Sequence, residues 1–146
     1  MHDLMTDIDE YARHAAARLG PDTYCSITLR HRGELGYVAS SDERAMQCDL
    51  VEVDAGEGPC VEAMRTLQGI IVPDLQPDTR WPAWRDAALG AGFRSAAALP
   101  AVADDVTTVA INMYSDLLDP WVHEPLLAMD AYIQEIAEAI RTRLGS

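Results

Sequence analysis

The stretch "SAAALPAVADDVTTVAINMYS", residues 95–115, constrains the fold more than any other part of the chain. It contains two strand-like runs, 95–103 and 106–114, separated by the pair Asp104 and Asp105. Aspartates tolerate turn conformations, and two such runs around a short polar turn are typical of an antiparallel hairpin. The chain is therefore expected to contain an antiparallel sheet.

The second run of this hairpin separates two kinds of side chain. One face carries Val109, Ile111 and Met113, whereas the other is mixed and includes Asn112 and Tyr114. Successive residues of a strand point to opposite faces of the sheet. The aliphatic face is suited to packing against helices, and the mixed face is suited to an enclosed, partly polar cavity.

Apolar residues at helical spacing predict amphipathic helices near both ends of the chain, at residues 1–19 and 122–144. Together with the strands, they indicate an α+β domain whose terminal helices cover one face of the sheet. Between them we expect a hairpin turning at Arg32-Gly33-Glu34, a helix from Ser41 or Asp42 to about Val51, a helix from Gly58-Pro59, a strand at 69–74 and a helix from Pro82 to about Gly90.

Length and charge restrict the class of protein. The 146 residues fit one domain, 1–146, and 24 acidic residues against 11 basic ones give a net charge of −13. This charge disfavours binding to nucleic acid or to anionic membranes, since both carry negative charge. The sequence shows neither a signal peptide nor an apolar span, and its three cysteines lack CxxC spacing. We therefore expect a cytoplasmic protein.

Cys60, in the stretch "GEGPCVEAM" (56–64), is the residue whose role is most open. With Pro59 at the first helical position, Cys60, Met64 and Leu67 share one helix face, which is expected to point inward. A buried core or pocket position is favoured. The alternative is a reactive thiol, because a helix N-terminus lowers the pKa of a cysteine.

Three aromatic residues, Trp81, Trp84 and Phe93, bracket the predicted helix after Pro82, close to Asp74. Ligand pockets are typically apolar and aromatic with a few fixed polar groups. This segment therefore either forms one wall of a pocket or only covers the open end of the sheet by hydrophobic packing. The histidines show no spacing typical of a metal site, and none is predicted.

The last helix carries a heptad-like apolar stripe, which is typical of helix–helix contact. Together with the first helix, it predicts a homodimer interface. The predicted interface residues are Leu4, Ile8, Tyr11, Leu126, Met129, Ile133, Ile136 and Ile140.

The succession of "GEGPCVEAM", "IIVPDLQPDTRWP", "GFRSAAALP" and "AINMYS" resembles a GAF domain. More narrowly, it is similar to the sensor GAF domains of actinobacterial proteins that often precede an ANTAR output module. The resemblance implies a PAS-like sheet of five or six strands in the order 2-1-5-4-3, a small-molecule pocket on one face, and signalling through terminal helices. The pocket residues that it implies are Cys60, Asp74, Trp81, Trp84, Phe93, Ser95, Asn112 and Tyr114.

The chain departs from several GAF branches. It lacks an NKFDE-type cyclic-nucleotide motif and a Cys-His pair for a bilin, and its sequence identifies neither ligand nor cofactor. Free methionine-(R)-sulfoxide reductases use paired cysteines, but no cysteine follows Cys60. We therefore predict a non-catalytic sensor domain, with thiol chemistry at Cys60 and a pure dimerisation module as alternatives, and with an output domain or partner protein as its target.

Overall fold

The computed structural model describes residues 4–121 and 123–144, with side chains for 10–121 and 124–143. In this part of the chain, five strands form one antiparallel sheet in the order β2-β1-β5-β4-β3, which confirms the α+β class and the strand order. The elements are α1 (Leu4–Leu19), β1 (Thr23–His31), β2 (Glu34–Ser40), α2 (Glu43–Ala55), α3 (Pro59–Thr66), β3 (Ile70–Val72), α4 (Pro82–Gly90), β4 (Ser95–Asp104), β5 (Thr107–Ser115) and α5 (His123–Leu144).

The two hairpins turn for different local reasons. Arg32 and Gly33 both have positive φ, 52° and 85°, and form the two-residue turn whose twist matches that of paired strands. The second turn lies at Asp105-Val106, one residue later than predicted, because Asp104 still pairs with Thr107 in the ladder. The Asp104 carboxylate accepts a hydrogen bond from the Val106 N–H at 2.9 Å, which holds this turn.

Helix α2 is longer than predicted, and both of its ends have clear causes. The Asp42 side chain accepts a hydrogen bond from the Arg44 N–H at 2.8 Å and so caps the N-terminus. The helix continues past Val51 to Ala55 and ends at Gly56, whose φ of 71° is left-handed. The four additional residues include Glu52, which becomes central to the site below.

The helices divide between the two faces of the sheet. Helices α1 and α5 cover one face, where Ile27, Ile111 and Met113 of the strands pack in an entirely apolar cluster. Helices α2, α3 and α4 cover the other face. The alternation along β5 thus has the predicted result, with Asn112 and Tyr114 facing the second layer.

The stripe on α5 packs against this chain's own sheet, which alters the interpretation of the predicted interface. Met129, Ile133, Ile136 and Ile140 are fully buried within the chain, and Leu126 is partly buried against the same cluster. Tyr11 makes an edge-to-face contact with Tyr132 of α5, with ring centroids 5.6 Å apart. The side chains of Leu4 and Ile8 lie outside those described. The heptad-like spacing of Met129, Ile133, Ile136 and Ile140 therefore reflects core packing within the chain, so these four side chains are not available to a second copy.

Among the described residues, no helix combines the length and the apolar character that crossing a membrane requires.

Candidate functional site

The sheet places a row of polar side chains under α2 and α3. Ser26 pairs with Asn112, and Thr28 with Ala110, in the antiparallel ladder between β1 and β5. Because alternate residues of a strand project from the same face, Ser26, Thr28 and Asn112 lie next to one another on one face of the sheet. Ser26, Thr28 and Asn112 are all buried, so each of their polar groups needs a partner inside the protein.

Helix α2 brings two carboxylic acids onto this row. Ala45, Cys48, Asp49 and Glu52 recur at helical spacing and form its buried face. Asp49 and Glu52 are each 0% exposed, although acidic residues are almost never fully buried unless they are paired. Sequence reasoning missed both of them. We call the buried polar residues at this place the interior polar cluster: Ser26, Thr28, Asp49, Glu52, Cys60, Asn112 and Tyr114.

Asp49 accepts hydrogen bonds on both carboxylate oxygens. The Tyr114 hydroxyl donates to Oδ1 at 2.8 Å, and Asn112 Nδ2 donates to Oδ2 at 3.1 Å. Tyr114 in turn accepts a hydrogen bond from Trp84 Nε1 at 3.1 Å. The same Asn112 amide nitrogen lies 3.3 Å from Thr28 Oγ1. Helix α4, strand β5 and helix α2 are thus joined through one buried chain of hydrogen bonds.

The position of the Glu52 side chain explains how α3 begins and why the "GEGPC" stretch has a glycine at position 58. Its Oε2 accepts a hydrogen bond from the Cys60 N–H at 2.7 Å, so it caps the N-terminus of α3 from the preceding helix. Gly58 has a φ of 152°, which side-chain-bearing residues rarely adopt, and a Cβ there would overlap the Glu52 carboxylate. Gly58 therefore provides both the turn and the space that admit this carboxylate.

Burial raises the pKa of both acids. The pKa of Asp49 rises to about 6, because desolvation outweighs the hydrogen bonds from Ser26, Tyr114 and Asn112 that lower it. The pKa of Glu52 rises to about 8 through desolvation and, in addition, through the negative charge of Asp49. The charge of Asp49 thus favours the protonated form of Glu52.

Cys60 lies inside the cluster and is 1% exposed. Burial raises its pKa well above the usual value, and the charges of Glu52 and Asp49 raise it further. A thiolate is therefore disfavoured here, in contrast to the activation expected at an open helix N-terminus. Met64 shares the inward face as predicted, but Leu67 is 52% exposed because α3 ends before it.

An aromatic wall borders the cluster. Phe93 stacks on Tyr114 with centroids 4.9 Å apart, and Trp81 meets Trp84 edge to face at 6.0 Å. The Arg44 guanidinium covers Phe93 from the outside, 4.7 Å from the ring centroid. Of the predicted pocket residues, the structure thus brings together Cys60, Trp81, Trp84, Phe93, Asn112 and Tyr114.

Two predicted pocket residues lie elsewhere. Ser95 is buried, but strand alternation places Ala96 rather than Ser95 beside Tyr114, and the Ser95 hydroxyl donates to the Leu117 carbonyl at 2.6 Å. Asp74 lies in the loop after β3, where its Oδ1 accepts a hydrogen bond from the Gln76 N–H at 3.1 Å. Both residues stabilise loops, which the sequence alone did not distinguish from pocket positions.

Two buried acceptors in the cluster, Glu52 Oε1 and Asn112 Oδ1, have no hydrogen-bonding partner of suitable geometry among the described residues. The Cys60 thiol lies within hydrogen-bonding reach of the Glu52 carboxylate, and Ser26 within reach of Asp49. Buried polar atoms without partners are rare and costly. Among the described residues, no group of three or more His, Cys, Asp or Glu side chains is arranged to hold a metal ion.

The sequence profile of the GAF domain family matches residues 4–140. No curated protein sequence matches the chain significantly.

Solved structures show the same fold at low sequence identity. A domain assigned to a two-component sensor histidine kinase of Sinorhizobium meliloti is 12% identical with a TM-score of 0.77, covering 98% of this chain and 94% of that one. The phycocyanobilin-bound GAF domain of a cyanobacterial phytochrome is 16% identical with a TM-score of 0.72, covering 97% and 86%. The type II free methionine-R-sulfoxide reductase of Thermoplasma acidophilum is 17% identical with a TM-score of 0.71, covering 96% of both chains.

Proposed function

This chain belongs to the GAF domain family, and on that premise we propose that it is a non-catalytic sensor domain of bacterial signal transduction that binds a small molecule in the interior polar cluster. The observation that carries the proposal is the set of buried acceptors without partners, Glu52 Oε1 and Asn112 Oδ1. A side of the sheet that served only for packing would gain stability from apolar residues at these positions.

Strand β5 supplies a physical route from the site to the terminal helices. Asn112 and Tyr114 belong to the cluster, while Ile111 and Met113, their neighbours in the chain, pack in the apolar cluster that contains α5. A ligand that shifts β5 therefore also changes the packing under α5. The coupling cannot exceed the difference in the ligand's affinity for the two arrangements.

We further propose that the domain works as a homodimer and passes its signal to an output domain or partner protein. The buried stripe of α5 is used within the chain, so the proposed contact involves the opposite, outward side of this helix. Leu127 on that side is 70% exposed, the largest exposure among the apolar residues described. Sedimentation equilibrium of the wild type and of Leu127→Glu tests this: a monomeric wild type contradicts the dimer.

The sensor proposal is tested by native mass spectrometry and by thermal denaturation with a metabolite panel. Asn112→Leu removes the free acceptor with little change of volume, and Thr108→Val on the same strand and face is the matched control. We expect a bound or panel compound that the wild type and Thr108→Val retain and that Asn112→Leu loses. A bare wild type whose melting temperature no compound raises would contradict a sensing role.

Thiol chemistry at Cys60 is the second candidate, because the thiol lies against two carboxylates and the fold is shared with methionine sulfoxide reductases. Its raised pKa and the lack of any later cysteine oppose it. Iodoacetamide labelling at neutral pH, followed by peptide mass analysis, separates the two. We expect Cys60 to react more slowly than glutathione, whereas fast labelling that is lost in Cys60→Ser would favour thiol chemistry.

A further inference from the structure

The two buried acids have only uncharged partners. Asp49 accepts from a tyrosine hydroxyl and a carboxamide, and Glu52 accepts from a backbone N–H. The groups that shift the pKa of either acid include no Arg, Lys or His. Buried carboxylates in proteins are ordinarily paired with a cation or a metal ion. Among the described residues neither acid forms an ion pair, and the buried Nε of Arg30, on the same face of β1, is itself left without an acceptor.

The free atoms of the cluster are matched to hydrogen-bond donors. Asn112 Nδ2 donates to Asp49, and a carboxylate can only accept, so the orientation of the amide is fixed and Oδ1 is the free atom. Glu52 uses Oε2 to cap α3 and leaves Oε1 free. A ligand that satisfies both Oδ1 and an ionised Oε1 has to donate hydrogen bonds from more than one N–H.

We infer that the ligand of this site is a small organic cation with several N–H donors, of the amidinium, guanidinium or primary ammonium class, held between Glu52, Asp49 and the free Asn112 carbonyl. This inference rests on the proposed sensor function and names the ligand class for it. Hydrogen bonds between charged groups are about twice as strong as neutral ones, and the low dielectric of a buried site strengthens them further. The rings of Trp84 and Tyr114 border the cluster and add cation–π attraction.

The charge arrangement disfavours the other ligand classes. An anion would meet two carboxylates, neither of which forms an ion pair with the described residues. A metal ion would lack ligands, because no group of three ligating side chains is present among the described residues. The Cys60 thiol, whose pKa is raised, holds its proton and does not act as a third anionic ligand.

Three compounds with the same planar heavy-atom shape test the charge requirement: acetamidine, which is a cation near neutral pH, acetamide, which is neutral, and acetate, which is an anion. Binding to the full chain is measured by calorimetric titration and by the shift in melting temperature at equal ionic strength. We expect the Kd of acetamidinium to be at least about tenfold lower than that of acetamide, because its positive charge strengthens the hydrogen bonds to the carboxylates. Acetate is expected to give no binding.

Controls separate the site from the general attraction of an acidic protein for cations. Tetramethylammonium carries the charge but has no N–H, and it is expected to have no effect. Glu52→Gln removes the preference for acetamidinium, whereas Glu57→Gln, the same change at an exposed position in the next turn, leaves it unchanged. Asp49→Asn is the second site variant and keeps the test decisive if Glu52→Gln does not fold.

Binding of a cation should compete with the proton on Glu52. The other titratable groups that face the pair are Cys60, Tyr114 and Cys48, and all three remain protonated near neutral pH because their pKa values are raised. Affinity for acetamidinium is therefore expected to increase from pH 6 to pH 8, with release of a proton. Calorimetry in two buffers of different ionisation enthalpy measures that proton.

The outcomes distinguish this inference from the function on which it rests. Equal or tighter binding of acetamide or acetate at the same residues would overturn the cation requirement while supporting a ligand site. Stabilisation of the protein by tetramethylammonium, or equal stabilisation of Glu52→Gln and the wild type by acetamidinium, would show only the general attraction of an acidic protein for cations. Either result would overturn the inference. Absence of binding by all three compounds would also overturn it, and the metabolite panel would then decide the sensor proposal separately.

Discussion

The two faces of the sheet bury side chains of different chemical character: apolar ones on one face, and polar and acidic ones on the other. On the α1/α5 face, Ile27, Ile111 and Met113 meet an apolar helix surface, and the buried side chains described on that face include no carboxylate. On the other face, positions of the same two strands carry Ser26 and Asn112, which lie under buried acids. Because the strands are shared, backbone geometry is the same for both faces, and side-chain chemistry alone accounts for the difference.

This contrast indicates which face stabilises the fold and which face lowers its stability. Apolar burial contributes about 25 cal/mol per Å² without a compensating penalty. Buried carboxylates without a cationic partner cost free energy, and their hydrogen bonds recover only part of it. The α1/α5 face therefore holds the domain together, while the buried acids of the cluster face lower its stability.

The largest effect is expected on the apolar face. Ile133→Ala should lower the free energy of unfolding by about 4 kcal/mol, because it removes buried methyl groups and leaves a cavity under α5. Urea denaturation followed by circular dichroism measures this loss. Val102→Ala, at an exposed position near the end of β4, is the control and should change stability by less than about 0.5 kcal/mol. A cost for Ile133→Ala as small as that of the control would contradict the assignment of the faces.

The cluster face should make stability depend on pH. Acids whose pKa is raised by folding bind protons more tightly in the folded state, so they favour folding at low pH and lose this effect as the pH rises. With folded values of about 6 for Asp49 and about 8 for Glu52, stability should fall between about pH 4 and pH 8. Since one pKa unit corresponds to about 1.4 kcal/mol, the two raised values together predict a loss of several kcal/mol over this range.

Glu52→Gln is the variant that sharpens this pH test. The amide retains an acceptor for the Cys60 N–H but cannot ionise, so its stability profile should be flatter and should exceed that of the wild type above about pH 8. Glu138→Gln, at an exposed position on α5, provides the matched control. A wild-type stability that rises across this range would show that the pair is not buried as described.

A smaller effect is expected where the hydrogen-bond chain is interrupted. Tyr114→Phe removes the donor to Asp49 and the acceptor for Trp84, and so leaves two buried groups unpaired. The free energy of unfolding should fall by about 2 kcal/mol. The loss should grow with rising pH, since an unpaired Asp49 ionises less readily, and urea titrations at two pH values measure this. A cost independent of pH would indicate that only packing was lost.

The smallest effect is expected at Arg44, which lies at the outer edge of the face that carries the interior polar cluster. Arg44 lies 4.6 Å from the ring centroid of Tyr24 and donates to the Ala91 carbonyl at 3.0 Å, which joins α2 to the end of α4. Arg44→Ala should cost about 1 kcal/mol. Arg141→Ala, whose described ion pair is exposed on α5, should cost almost nothing. Equal costs would mean that the rim contact contributes no more than an ordinary surface charge.

Most of the fold was predictable from local signals. Strand alternation placed Ile111 and Asn112 on opposite faces, and Gly20, Pro59 and Pro82 marked helix boundaries because their backbone preferences act locally. The end of α2 was missed because residues 52–55, which precede the capping glycine Gly56, alternate polar and apolar side chains and so do not follow an apolar helical spacing.

The site was predictable only in part. Asn112 and Tyr114 were found because polar residues on an inward face require partners. The acids were missed because Asp and Glu are expected on the surface, and only the shared spacing of Asp49 and Glu52 with Ala45 and Cys48 on α2 indicated otherwise. Ser95 was misplaced because, near the start of a strand, sequence alone does not say which face a residue joins.

The hydrogen bond from Trp84 to Tyr114 has a practical consequence. An indole whose N–H is engaged and whose ring is 1% exposed emits at a wavelength and intensity that respond to any change in its surroundings. Trp121, on the opposite side of the sheet, donates instead to Thr23 at 3.3 Å. The protein therefore contains two tryptophans beside the cluster, Trp81 and Trp84, and one remote from it. Replacing Trp121, or both Trp81 and Trp84, by phenylalanine leaves fluorescence from one face only, without any added label.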